Sequence, residues 1–201
     1  MTRRTLLVAV LLLVTWSVPT LSSAQNLLSN PDFASFWDWV GSGSWVPEDC
    51  CGDPQSGSAT YINQFPGPYG VYIARQCVEL MVPGEYYELS GLFHIPSGQS
   101  GSGWGQLGVS WYSSASCVAG DYIDGADAPI VTATGLWQET TTVIRAPLTA
   151  VSAYVYTYNH KSSSGGVFQV STDHLFFAVT DKIFTDGFET GDTTRWSTTV
   201  P

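Results

Sequence analysis

The sequence predicts an all-β protein, an antiparallel β-sandwich jelly roll of about eight strands. Three observations carry that prediction. Apolar residues recur at period two in short runs rich in Val, Ile, Thr and Tyr, clusters of Gly, Pro, Ser and Asp punctuate those runs, and helical periodicity is nearly absent. At 201 residues the chain suits one domain with a proper core.

In chain order, strands are expected at 27–33, 58–64, 71–82, 86–95, 106–112, 137–145, 151–158 and 167–179. Within 106–112, Leu107, Val109 and Trp111 alternate with Gly108 and Ser110, which places Trp111 on the apolar face and Tyr112 on the opposite one. Along 151–158, Val151, Ala153 and Val155 alternate with Tyr154, Tyr156 and Tyr158. One side reads as core and the other as a tyrosine ladder, which serves either as a ligand platform or as the base of a second packed layer. The stretches 96–105 and 121–129 are rich in Gly, Ser and Asp and read as surface loops. The run from Gly103 to Gly108 fits the dinucleotide pattern G-x-G-x-x-G, but a strand follows it where that motif needs a helix, so it reads as a flexible hairpin loop.

Residues 1–24 read as a signal peptide. Arg3 and Arg4 precede an apolar run from Leu6 to Val14, and small residues close the segment at Ala24. The run is shorter than the ~20 residues that span a bilayer, and no later segment is long and apolar enough, so no transmembrane segment is expected. The domain then covers 25–180, followed by a polar tail at 181–201. Seven basic residues against 17 acidic ones give a net charge of −10. Without the leader, five basic residues face the same 17, and the net charge is −12. Nucleic acid is excluded as the main partner, because such a chain cannot neutralise a phosphate backbone. Secretion, or exposure at the cell surface or in the periplasm, is oxidising. The even count of Cys50, Cys51, Cys77 and Cys117 therefore favours two disulfides, with three possible connectivities.

Catalysis finds no support. No G-x-S-x-G run occurs, and His94, His160 and His174 are far apart and read as polar packing or exposed groups. Glu79, Glu85, Glu88 and Glu139 show no spacing that pairs two carboxylates across a cleft. The acidic loops with Asp121, Asp124 and Asp127, and with Asp186, Glu189 and Asp192, lack EF-hand spacing and read as solvated loops.

Several segments in order carry a family resemblance: Asn26 to Phe33, Ser56 to Ala59, Gln76-Cys77-Val78, Tyr87 to Ser90, Trp111-Tyr112, Trp137-Gln138, Ala146-Pro147, Ala150 to Ala153, and Asp173. Together they resemble the carbohydrate-binding modules of families four and nine, jelly rolls of galactose-binding-like type found in secreted bacterial proteins. The resemblance implies a non-catalytic glycan-binding domain with a concave binding face and a structural Ca2+. In that family the calcium involves an acidic residue just after the first-strand Phe and an Asp in the last strand. Asp173 meets the second requirement, while Ala34 follows Phe33 and Asp32 stands one residue before it. The resemblance also implies a Cys77–Cys117 disulfide, leaving Cys50 to Cys51, with cross-pairing as the rival, and a buried Trp137. The tail from Ile183 to Asp192 looks like a short C-terminal motif recurring on exported bacterial proteins, a surface tag or the start of a further domain.

The expected function is binding of polysaccharide through an aromatic face. Tyr154, Tyr156 and Tyr112 form that face, with Tyr86 and Glu88 joining it if their strand is a neighbour, and Asp173 and Asp32 are the candidate metal ligands. The alternative is an extracellular structural or adhesion protein that uses the same fold for protein contacts and the tail for cell-surface association.

Overall fold

The computed structural model describes residues 24–180, so the signal-peptide reading and the tail, with its acidic loop, lie outside the described residues. Among the described residues, the chain forms two antiparallel sheets. The back sheet has the order β1 (Ser44–Val46), β2 (Ser58–Asn63), β9 (Phe168–Val179), β4 (Tyr86–His94) and β7 (Trp137–Arg145). The front sheet has the order β3 (Tyr69–Val78), β8 (Ser152–Lys161), β5 (Gly103–Tyr112) and β6 (Tyr122–Asp127). This is the predicted β-sandwich. No helix among the described residues is long and apolar enough to cross a membrane.

Period-two burial builds the core between the sheets. Tyr87, Leu89 and Phe93 point inward from β4, Leu107, Val109 and Trp111 from β5, Ala153 and Val155 from β8, and Val170, Leu175 and Phe177 from β9. Trp111 packs 5.7 Å from Tyr87 and 6.1 Å from Phe177, ring centre to ring centre, at the middle of the sandwich. Nearer one end the interior is polar. There the Asn159 amide of β8 donates to the carbonyls of Tyr61 (3.0 Å) and Phe168 (3.2 Å), linking the two sheets directly. The buried Lys161 ammonium donates to the Phe65 carbonyl. Its charge is thus solvated by backbone.

The structure pairs Cys77 with Cys117 and Cys50 with Cys51. The first bridge closes 40 residues and ties the end of β3 to the loop after β5.

Four expectations are corrected. Residues 27–33 form no strand: Asn30 and Phe33 have φ of 51° and 44°, which curls the segment until Phe33 plugs the sandwich. The expected loop at 121–129 contains β6, an edge strand whose acidic and glycine residues carry no apolar alternation to reveal it. Gly103 to Gly108 is not a flexible loop. It lies within β5, where a side chain at Gly105 would come within 2.7 Å of the Phe93 ring. Trp137 is not in the core. It pairs with His94 on the outward side of β7, its ring centre 5.4 Å from the imidazole, because that strand buries the opposite set, including Thr140 and Ile144.

These placements make opposite predictions for two tryptophans. Trp111→Ala is expected to lose about 3–5 kcal/mol in urea unfolding, and Trp137→Ala well under half as much. Equal losses would contradict the assigned faces.

Candidate functional site

β8 is the inner strand from which the outer face of the front sheet is built. Ala153, Val155, Thr157 and Asn159 are buried, so period two turns Tyr154, Tyr156, Tyr158 and His160 outward. The neighbouring strands supply Tyr72 and Arg75 from β3 and Trp104, Ser110 and Tyr112 from β5. Beyond β5, β6 adds Tyr122 and Asp127.

Two glycines give the tyrosines room. A Cβ on Gly108, opposite Tyr156, would fall 2.5 Å from the Tyr156 ring and 2.2 Å from Asp127 Oδ1. A Cβ on Gly70 would fall 1.9 Å from the Tyr158 hydroxyl oxygen. Tyr156 therefore lies across β5, and its hydroxyl donates to Asp127 at 2.7 Å. The rings then lock edge to face. Tyr72 meets Tyr156 at 5.2 Å and Tyr158 at 5.1 Å, and Tyr112 meets Tyr154 at 5.7 Å and Tyr122 at 6.0 Å. At the far end Trp104 stacks on His160 at 3.8 Å.

Burial pushes the hydroxyl pKa values of Tyr112, Tyr156 and Tyr158 above the ordinary tyrosine value, and for Tyr156 the Asp127 hydrogen bond and charge push further. All three stay protonated at neutral pH. They present hydroxyls that both donate and accept, attached to apolar rings. Beside β3 the face continues into a groove of about 510 Å³ lined by Tyr69, Tyr72, Arg75, Tyr158, Phe65 and Ser42, among others.

Of the expected ligand residues, Tyr112, Tyr154 and Tyr156 lie together on this face. Tyr86 and Glu88 do not line it, because β4 belongs to the back sheet. Tyr86 there lies under the Arg145 guanidinium at 5.6 Å. Sequence reasoning missed Tyr72, Arg75, Trp104 and Asp127. Strict alternation puts Tyr72 and Arg75 on opposite sides, but a bulge between Tyr72 and Ala74 resets the register and turns both outward. Trp104 sat in an expected loop, as did Asp127.

A second cluster lies where β9 passes the loop after β1. Asp173 is fully buried and accepts from the backbone N–H groups of Cys50 (3.1 Å) and His174 (2.8 Å). Burial raises its pKa to about 7. Asp49 accepts from the Ser56 hydroxyl at 2.7 Å and from the N–H groups of Cys51, Gly52 and Asp53, and these bonds, Ser56 foremost, lower its pKa. Ligand atoms of Asp49, Cys50 and Asp173 lie within 4.8 Å of one another. The Cys50 sulfur is held in its disulfide, leaving the two carboxylates as hard ligands. Asp32 lines the adjoining notch of about 200 Å³, its Oδ1 2.6 Å from His174 Nδ1. Two carboxylates, Asp49 and Asp173, thus converge, with Asp32 along the notch beside them and no lysine or arginine among the residues lining it. That donor set fits an oxygen-seeking divalent cation.

No protein-family model matches the chain, and no curated protein does. Solved structures do. The fold is similar to the enzymatically active domain of tailspike protein 4 of bacteriophage CBA120, at 15% identity and TM-score 0.54. That match covers 77% of this chain and 21% of the tailspike, so the chain spans about a fifth of that protein. It is similar to a family 61 carbohydrate-binding module solved with β-1,4-galactotriose, at 18% identity and TM-score 0.51, over 78% of this chain and all of the module (100%). It is also similar to the CBM22-1 xylan-binding domain of Paenibacillus barcinonensis Xyn10C, at 13% identity and TM-score 0.55, over 78% of this chain and 96% of that domain. The chain therefore has the β-sandwich fold of carbohydrate-binding modules.

Proposed function

We propose that the protein is a secreted, non-catalytic carbohydrate-binding module that holds polysaccharide across the tyrosine face of the front sheet. The observation that carries this reading is the alignment of Tyr154, Tyr156 and Tyr158 with Tyr72 on one partly exposed face, with the buried Tyr112 supporting Tyr154 edge to face. Sugar rings present C–H faces that pack on aromatic rings, and the protonated tyrosine hydroxyls and Asp127 supply partners for sugar hydroxyls. Similar folds solved with β-1,4-galactotriose or described as xylan-binding support the same reading. The two disulfides suit an oxidising exterior, as does the expected leader.

Changing Tyr154 and Tyr156 together to Ala is expected to weaken binding to soluble and insoluble polysaccharides by roughly tenfold to a hundredfold, with an unaltered circular dichroism spectrum. Retained binding by the variant, or a wild-type protein that retains no glycan, would move the function to structural protein contacts.

Calcium is the cation proposed for the acidic cluster, with Asp173, Asp49 and Asp32 as the residues to hold it. Bound there, it would supply positive charge to carboxylates that otherwise face one another. Asp173 and Asp49 receive N–H groups from the loop carrying Cys50 to Asp53, so they join that loop to β9. The pH dependence follows from the raised pKa of Asp173. The folded state keeps a proton that the unfolded chain has released, so stability without calcium falls as pH rises from about 4 to about 7. The Tm in EDTA is expected to drop by several degrees between pH 4.5 and pH 8, and millimolar Ca2+ at pH 8 is expected to restore it. Asp173→Asn should abolish both effects. A Tm indifferent to calcium at pH 8 would contradict the cation assignment.

A further inference from the structure

Arg75 stands apart from the other cationic side chains of the described residues. Lys161 is buried with its ammonium on the Phe65 carbonyl, and Arg145 lies on the back sheet, donating through Nε to the Gly84 carbonyl at 2.9 Å. Arg75 is the single lysine or arginine on the tyrosine face among the described residues.

Its position is fixed from both sides. The backbone of Arg75 exchanges hydrogen bonds with Val40 at 2.8 and 3.0 Å, and Tyr156 of β8 is its partner across the sheet. The guanidinium carbon lies 5.6 Å from the centre of the Tyr72 ring and 5.1 Å from that of Tyr154. These ring contacts orient the guanidinium without using its N–H groups. Among the described residues it has neither a carboxylate partner nor a hydrogen-bond acceptor, whereas Arg145, also lying over a tyrosine, has one.

Those open donors border the groove of about 510 Å³ beside β3, whose other walls include Tyr69, Tyr72 and Tyr158. A pocket of this size takes a small ligand. Charge is divided across the sheet. Asp121, Asp124 and Asp127 lie at β6, three strand spacings or roughly 14 Å from β3. An anion is thus repelled at the β6 side and received at the β3 side.

We propose that this groove binds an acidic sugar residue, a hexuronate, whose carboxylate pairs with the Arg75 guanidinium while its ring lies against the wall formed by Tyr72 and Tyr158. The inference rests on the glycan-binding reading above and names the class of sugar at one end of that face. A planar carboxylate matches the guanidinium fork in a bidentate pair, which neutral hydroxyls cannot reproduce. With a net charge of −12 for the expected mature chain, a glycan with isolated uronates suits the protein better than a dense polyanion.

The test compares two probes with one carboxylate each, a methyl galacturonoside and singly glucuronate-substituted xylohexaose, each with its methyl ester, which keeps the sugar and removes the charge. Binding is measured by calorimetry on the full chain in low salt. At least one acid is expected to bind about tenfold or more tighter than its ester, with the preference shrinking as salt is raised. Arg75→Gln is expected to bring the ratio of acid to ester affinity close to one, and Arg75→Lys to keep part of the preference. Circular dichroism checks that both variants fold. Equal binding of acid and ester, or a preference that survives Arg75→Gln, overturns the uronate assignment. If neutral polysaccharides still bind in that case, the glycan-binding reading stands alone; if no glycan of either kind binds, both fail.

Discussion

The alternation of β8 is the constraint on which the rest of the molecule depends. This strand lies between β3 and β5, and its two faces have incompatible chemistry. Ala153 and Val155 are small enough to lie under the back sheet, and Asn159 reaches across to bond Tyr61 and Phe168 there. A slip of one residue would drive Tyr154 and Tyr156 into the core and expose the residues that fill it. Register is therefore strongly specified. The same specification that closes the core arranges the tyrosines outward in a row.

Once outward, the tyrosines are restrained by one another and by their neighbours. Tyr72 meets both Tyr156 and Tyr158, Tyr112 meets Tyr154, and Asp127 accepts the Tyr156 hydroxyl across a glycine. A face whose rings are already ordered loses little side-chain entropy when a ligand lands on it. The Cys77–Cys117 bridge lies beside this face, since Cys77 is the cross-strand partner of Tyr154. At the opposite end of the chemistry, the Asp173 cluster touches no part of the tyrosine face. Its carboxylates accept from the 50–53 loop and from β9, so its role is to hold chain segments in place.

Much of this was legible in the residues. Period two alone separated Tyr154, Tyr156 and Tyr158 from Ala153 and Val155, and turned Trp111 into the core and Tyr112 toward the opposite face, although Tyr112 is buried there under its neighbours. Parity fails where a strand is irregular. The bulge near Ile73 brought Tyr72 and Arg75 to one face, and the outward turn of Trp137 depended on which set of β7 side chains met the core. Sheet membership was not legible at all for Tyr86 and Glu88. Which strands share a sheet is set by crossover connections, and local alternation carries no record of them. The edge strand β6 was hidden for a related reason: an exposed edge has no buried set to generate an apolar rhythm. Asp49 was missed as a partner of Asp173 because 124 positions separate them in the chain, and only the fold brings their carboxylates together.

The central claim is that the row of tyrosines on β8 is where glycan meets protein. Tyrosine-selective isotope labelling, with NMR spectra recorded as an oligosaccharide such as β-1,4-galactotriose or xylohexaose is added, tests it most directly. The account predicts that ring signals of Tyr72, Tyr154, Tyr156 and Tyr158 shift together and saturate, while Tyr86, on the other sheet, and Tyr87, inside the core, stay still. Saturable shifts confined to Tyr86, with the β8 tyrosines unmoved, would contradict it.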